Sequence, residues 1–202
     1  MRITALTAVF CLIFSTASFA AAPVSFEAAL SGIRAKVLAT QANQVAVKNS
    51  QLANDIQRLS RDLQRKDWDV RRLKTRLADL RREAQRQERD DYSFQRDLSR
   101  LVWDLRDFDR DIERDERTLS RIVREAKKDP ALVAPAQSLD REVRSLMSEV
   151  RWLDSEARWA GSDIRRAGRS MEAWDIERHC GDIERAVRDM ERNARQLLNN
   201  VR

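Results

Sequence analysis

The sequence predicts an all-α protein, a long antiparallel coiled-coil hairpin, with an elongated three-helix bundle as the alternative. Three observations lead there. The chain has 202 residues but only four Gly and three Pro, too few breakers for a fold with many turns. Charged residues make up 36% and hydrophobic residues 42%, in a mixture rich in Ala, Leu, Glu and Arg that favours helix. Above all, apolar residues recur at alternating spacings of three and four from Val45 to Ala126 without a slip, the pattern of a coiled-coil seam.

The first twenty residues stand apart. Arg2 supplies a positive start, and Ile3 to Ala17 form a mostly apolar run, about the length of a signal-peptide core and too short to span a bilayer. Ser18-Phe19-Ala20 then places small residues three before and one before a cut after Ala20. Residues 1–20 read as a secretory signal peptide, so the protein is expected in the periplasm or outside the cell. Cys11 follows the bulky Phe10, which argues against lipidation. Cleavage leaves Cys180 as the one cysteine, so no intramolecular disulfide can form. No later run is apolar enough over a bilayer's thickness to be a transmembrane span.

Residues 21–48 form an Ala-rich helical segment, opened by Pro23-Val24-Ser25 with Ser25 as N-cap. Residues 49–128 form the first coiled-coil arm. Its seam includes Ile56, Leu63, Val70, Leu77, Leu98, Leu105, Ile112 and Leu119, and its polar interruptions are Asn49, Lys66, Gln87, Asp91 and Asp115. Pro130 and Pro135 make residues 129–138 the turn. Residues 139–202 form the second arm, whose seam runs from Leu139 through Val150, Ile164, Met171 and Trp174. It slips in a kink near 178–182, where Gly181 stands. A turn centred between Val133 and Ala134 sets Gln87 and Asp91 opposite Cys180 and Ile176, and Lys66 opposite Val201. The three-helix alternative breaks the first arm near residues 90–93.

In the hairpin, Val45, Asn49, Leu52, Ile56, Leu59 and Leu63 lie beyond the returning arm. An apolar seam without an internal partner predicts self-association, or pairing with another helical envelope protein, with Asn49 setting the register.

Little in the chain suggests catalysis. His179 and Cys180 are neighbours, and neighbours on a helix point apart, so adjacency makes no dyad. Cys180 reads as a buried thiol or as one half of an interchain disulfide. No metal or cofactor is expected, because one His and one mature Cys do not make the usual zinc site. Asp107, Asp109, Asp111 and Asp115 are interleaved with Arg106, Arg110 and Arg114 and lack the Gly-bearing loop of a calcium hand. Most charges fall into pairs three or four apart, such as Asp111/Arg114, Glu113/Arg117, Asp182/Arg185 and Glu191/Arg195, the pattern of a solvated helix face.

The net charge of +6 would suggest nucleic acid in a cytosolic protein. In an exported one it points instead to an anionic envelope surface. Trp68 and Trp103 fall on the outer face of the first seam, and Trp152 and Trp159 lie off the second. They are covered by a further helix or form a client-binding surface. The expectation is a non-enzymatic, exported structural or interaction protein of the bacterial envelope. The alternative is a periplasmic holdase chaperone with basic helical arms.

Overall fold

The periodic segments become four helices in the computed structural model, which describes residues 26–86 and 91–202, the side chains of 26–33 and 91 excepted. In chain order they are α1 (Phe26–Arg86), α2 (Asp91–Glu125), α3 (Pro130–Arg166) and α4 (Ser170–Val201). Among the described residues there is no strand and no helix long and apolar enough to cross a membrane. The expected signal peptide, Ser25, Gln87 and the Asp91 side chain lie outside the described residues.

The first arm is two helices, not one. α2 runs back along α1, joined to it by the ion pairs Asp55–Arg121 at 3.0 Å, Arg76–Asp104 and Lys66–Asp115. The reason lies in the seam itself. A row of leucines gains its stabilisation by leaving water, about 1.5–3 kcal/mol for each side chain, and α2 supplies the cover. Heptad phase does not reveal this, because it is the same on both sides of residues 87–90.

The second correction concerns residues 129–138, which form a helix start rather than a turn. Asp129 is the N-cap of α3, its side chain accepting from the Ala131 N–H at 2.8 Å, and Pro130 opens the helix. Pro suits that position because its missing N–H has no partner there anyway. Pro135 lies inside α3, where it removes one backbone hydrogen bond, yet Leu132, Ala136 and Leu139 around it are wholly buried.

A third correction moves the interruption of the second arm. α4 passes through Gly181 without a break. The chain instead reverses at Ala167-Gly168-Arg169, where Gly168 has φ +80°. The Gly168 N–H donates to the Arg165 carbonyl and the Arg169 N–H to the Ile164 carbonyl, the bond pattern of a helix that ends in a left-handed glycine. Met171 and Trp174 are therefore exposed, and Ala173, Ile176 and Cys180 point inward instead.

The two hairpins pack with like helices side by side. α1 and α3 are parallel, through Ser60/Ser138, Gln64/Glu142 at 2.8 Å and Gln85/Asp163 at 2.7 Å. α2 and α4 are parallel through Ser120/Asn193 at 2.9 Å and the Val123 carbonyl with Asn200. The ring order is α1–α2–α4–α3, and Ala126–Asp129 connects opposite corners. Buried positions repeat between the hairpins. Leu52, Ile56, Leu63 and Ala84 of α1 have buried counterparts 80 residues on, in Leu132, Ala136, Val143 and Ile164 of α3. Leu98, Leu105 and Ile122 of α2 have theirs 75 residues on, in Ala173, Cys180 and Leu197 of α4.

The chain divides after Gln44 into two compact units. In the first, the described side chains from Arg34 on are exposed, Val37 and Leu38 included. The second, Val45–Arg202, holds the whole core. Within it the strip expected to self-associate is already used: Leu52, Ile56, Leu59 and Leu63 are at most 4% exposed. Asn49 donates to Asp129 Oδ2 at 2.6 Å, and of that strip only Val45 is exposed.

Candidate functional site

Two features of the bundle could carry function: a tryptophan-bearing surface and a polar cluster between α2 and α4.

The chain has five tryptophans, and every one is more than half exposed: Trp68, Trp103, Trp152, Trp159 and Trp174. The heptads explain why. Each falls off the inward positions, so the core is closed by Leu, Ile, Val and Ala without them. Four have a cation over the ring: Lys74 on Trp152, Arg81 on Trp159, Arg106 on Trp103 and Arg178 on Trp174, at 5.2–5.9 Å from the ring centres. Such contacts orient a ring without covering it. Arg81 is itself held by Glu156 at 3.2 Å and Asp163 at 3.1 Å. The Gln85 amide and Arg81 together outweigh burial and keep the Asp163 carboxyl below its ordinary range. Trp152 and Trp159 line an open groove of about 520 Å³, with Met147 at its floor and Arg144, Arg151, Glu191 and Arg195 around it. The groove offers flat aromatic faces with charged neighbours of both signs, a surface suited to contact with another macromolecule.

The second feature lies between α2 and α4. His179 Nδ1 is 3.0 Å from Asp109 Oδ2, and both side chains are largely buried. The other Asp109 oxygen is fully buried and has no hydrogen-bond partner. Burial pushes the Asp109 carboxyl above its ordinary value. His179 opposes the rise, while the charges of Asp182 and Glu113 add to it. Asp182 stands one turn beyond His179 on α4, in ion pairs with Arg185 at 3.3 Å and Arg178 at 3.8 Å.

Cys180 is adjacent in sequence but points into the core, where it is 0% exposed. Burial pushes its thiol far up, with the charges of Asp154, Asp109 and Glu177 adding to the effect. Cys180 thus sits as a buried thiol, and the interchain disulfide expected there would require α4 to leave the core.

Several pairings were out of reach of the sequence. Asp109 and Asp115 read as members of an Arg-neutralised acidic run, yet their partners are His179 on α4 and Lys66 on α1. Their positions on the inner side of α2 were a signal: Asp115 falls on the seam, and Asp109 follows Phe108, which is on it. The expected pairs Asp111/Arg114, Glu113/Arg117, Asp182/Arg185 and Glu191/Arg195 are all formed. Comparison with protein-family models, curated proteins and solved structures returned no match.

Proposed function

We propose that this chain is an exported, non-enzymatic interaction protein of the bacterial cell envelope, a self-contained helical bundle that binds a protein partner through its outward tryptophans. The observation that carries this reading is that none of the five tryptophans is used in the core. Tryptophan is among the residues most enriched where binding energy concentrates, and Trp152 and Trp159 share one open groove. The signal-peptide pattern of residues 1–20 supports export. Self-association is retained in a narrower form. The seam continues in phase upstream of the bundle core as Leu38, Ala42 and Val45, all exposed, so pairing with another copy or a helical envelope protein would use these residues rather than 52–63. An anionic envelope surface remains the natural neighbour for the basic excess; nucleic acid is not proposed as a partner.

The experiment is a photo-crosslinking residue at position 152 in the cells that make the protein. The expected result is a discrete adduct in the non-cytoplasmic fraction, absent when the residue is placed at Arg117 on α2. A cytoplasmic chain, or no adduct at any of the five tryptophan positions, would contradict the reading.

A periplasmic holdase is the second reading, favoured by the open groove that sets Trp152 and Trp159 among four charged side chains. It predicts a smear of adducts instead of one band, and suppressed aggregation of a denatured outer-membrane protein.

A further inference from the structure

We infer that Asp109, His179 and Asp182 form a binding site for a divalent transition-metal ion of the zinc class, joining α2 to α4. Each offers one ligand atom, and these atoms all lie within 4.8 Å of one another. His179 and Asp182 are three apart on α4, which sets them on one face of the helix, and Asp109 reaches them from α2. Facing helices of a bundle with ligands at this spacing are an established way to hold a metal between them.

Asp109 is only 9% exposed, and its Oδ1 is buried without a hydrogen bond. Asp140 and Asp67 also keep one buried oxygen unpartnered in their ion pairs with Arg144 and Arg71. What distinguishes this cluster is that the partner is an imidazole and that a second carboxylate, Asp182, stands within reach of both. A buried carboxylate oxygen with no donor costs about 1–3 kcal/mol or more. The cost is raised again by the nearby Asp182 carboxylate, whose charge works against Asp109. A dication between His179 Nδ1 and Asp109 Oδ2 would place its charge beside the buried carboxylate and turn the repulsion between the two carboxylates into shared coordination.

The geometry fits a small tetrahedral ion. Ligand atoms about 2.0–2.1 Å from a metal stand about 3.3 Å from one another. The His179 Nδ1 and Asp109 Oδ2 atoms are at 3.0 Å, near that separation already. The ion would take the place of the proton that now joins them. Asp182 is one-third exposed, and it completes the set by turning from Arg185 toward His179, leaving the fourth position to water. One imidazole and two carboxylates match zinc, cobalt or nickel ions. They do not match calcium, which takes six to eight oxygens. The sequence did not suggest the site because Asp109 lies 70 residues from His179, and no short motif contains both.

The test uses the full mature chain freed of metal with a chelator, titrated with Co²⁺ and followed by its visible absorption, then with Zn²⁺ in competition. Thermal unfolding is measured with and without Zn²⁺. The site predicts tetrahedral Co²⁺ bands, their loss on adding Zn²⁺, and a higher unfolding temperature with Zn²⁺, since an ion binding only the folded state stabilises it. His179→Gln and Asp182→Asn should each weaken binding by at least the roughly 10–100-fold that loss of an outer-shell partner costs. Asp189→Asn, which removes a comparable α4 carboxylate paired with Arg192, should change nothing. No Co²⁺ bands together with no Zn²⁺ stabilisation would overturn the proposal. So would binding that is as tight in His179→Gln or, should that variant fail to fold, in Asp182→Asn.

Discussion

Lys66 and Asp115, charged residues on seam positions of α1 and α2, are each other's partner inside the bundle, both less than 15% exposed. Lys66 also donates to the Asp111 carbonyl at 3.1 Å. Counting heptads from this contact places Leu63 across from Leu119 and Val70 across from Ile112, all wholly or almost wholly buried. A pair of this kind adds little net stability but penalises every other register, because a slip would leave both charges buried alone.

The pair therefore predicts an asymmetry between single and double replacement. Asp115→Leu alone should destabilise by about 3–5 kcal/mol, because it strands Lys66. Lys66→Met with Asp115→Leu together should be near neutral or more stable than wild type. Urea midpoints for the three variants check this; equal losses in the single and double variants would contradict it.

The same pair has a pH dependence. Burial pushes the Asp115 carboxyl above its ordinary value; Lys66 opposes the rise, and the charges of Asp62 and Asp111 add to it. A carboxyl raised in the folded state binds more protons there than in the unfolded chain, across the window just above the ordinary value of 3.8. Stability from this group is therefore greatest in acid and falls as pH rises through that window. Relative to Asp115→Asn, the wild type should lose stability as pH rises from roughly 3 to 7. A gap that moves in the wild type's favour over that range would reverse the sign.

Gly168 is the residue the α3–α4 reversal depends on. Its φ of +80° strains any residue with a Cβ by about 1–2 kcal/mol. Gly168→Ala should lower stability by that amount, whereas Gly181→Ala, in mid-helix with open space beside it, should raise it by roughly 0.5–1 kcal/mol. Equal effects at the two glycines would place the helix end elsewhere.

Cys180 should resist modification. A thiol reagent added to the native chain should label it only at the rate of unfolding, and non-reducing gels should show no disulfide-linked dimer. Rapid labelling, or a dimer that reductant dissolves, would show that α4 does not pack with Cys180 inward.

Which residues of the first seam face inward was legible from the heptads; how many helices carry them, and which way those turn, was not. The seam identifies every buried leucine from Leu52 to Leu119, because burial follows periodicity and the same residues face inward in a hairpin or a bundle. Direction is decided at the ends. Asp129-Pro130 reads as a turn if proline is taken as a breaker, and as an N-cap with a helix opener if Asp is read with it. Gly168, following Arg165-Arg166, carried a helix-end signature that Gly181, more prominent beside His179-Cys180, obscured. The outward placement of Trp68, Trp103, Trp152 and Trp159 followed from phase alone; that of Trp174, which the unbroken second seam put inward, did not. The Asp109–His179 contact did not, since it joins two helices whose relative register only the packed core determines.

The surface variant Trp152→Ala with Trp159→Ala should separate binding from folding. Both rings lie outside the core, so stability should change by no more than about 0.5 kcal/mol for each substitution, while the crosslinked partner is lost. A variant that unfolds would make the tryptophans structural.

The most direct test is the pair Ile56→Glu and Leu59→Glu in the mature chain, followed by circular dichroism and sedimentation. These residues are 0% and 4% exposed inside one chain, and loss of each aliphatic side chain alone costs about 2–5 kcal/mol before any charge is buried. The closed bundle predicts a wild-type protein with a cooperative helical transition and a double variant that loses its helix at room temperature. A double variant that stays fully helical, and merely dissociates from a larger assembly, would show that this seam joins chains and that the single-chain bundle is wrong.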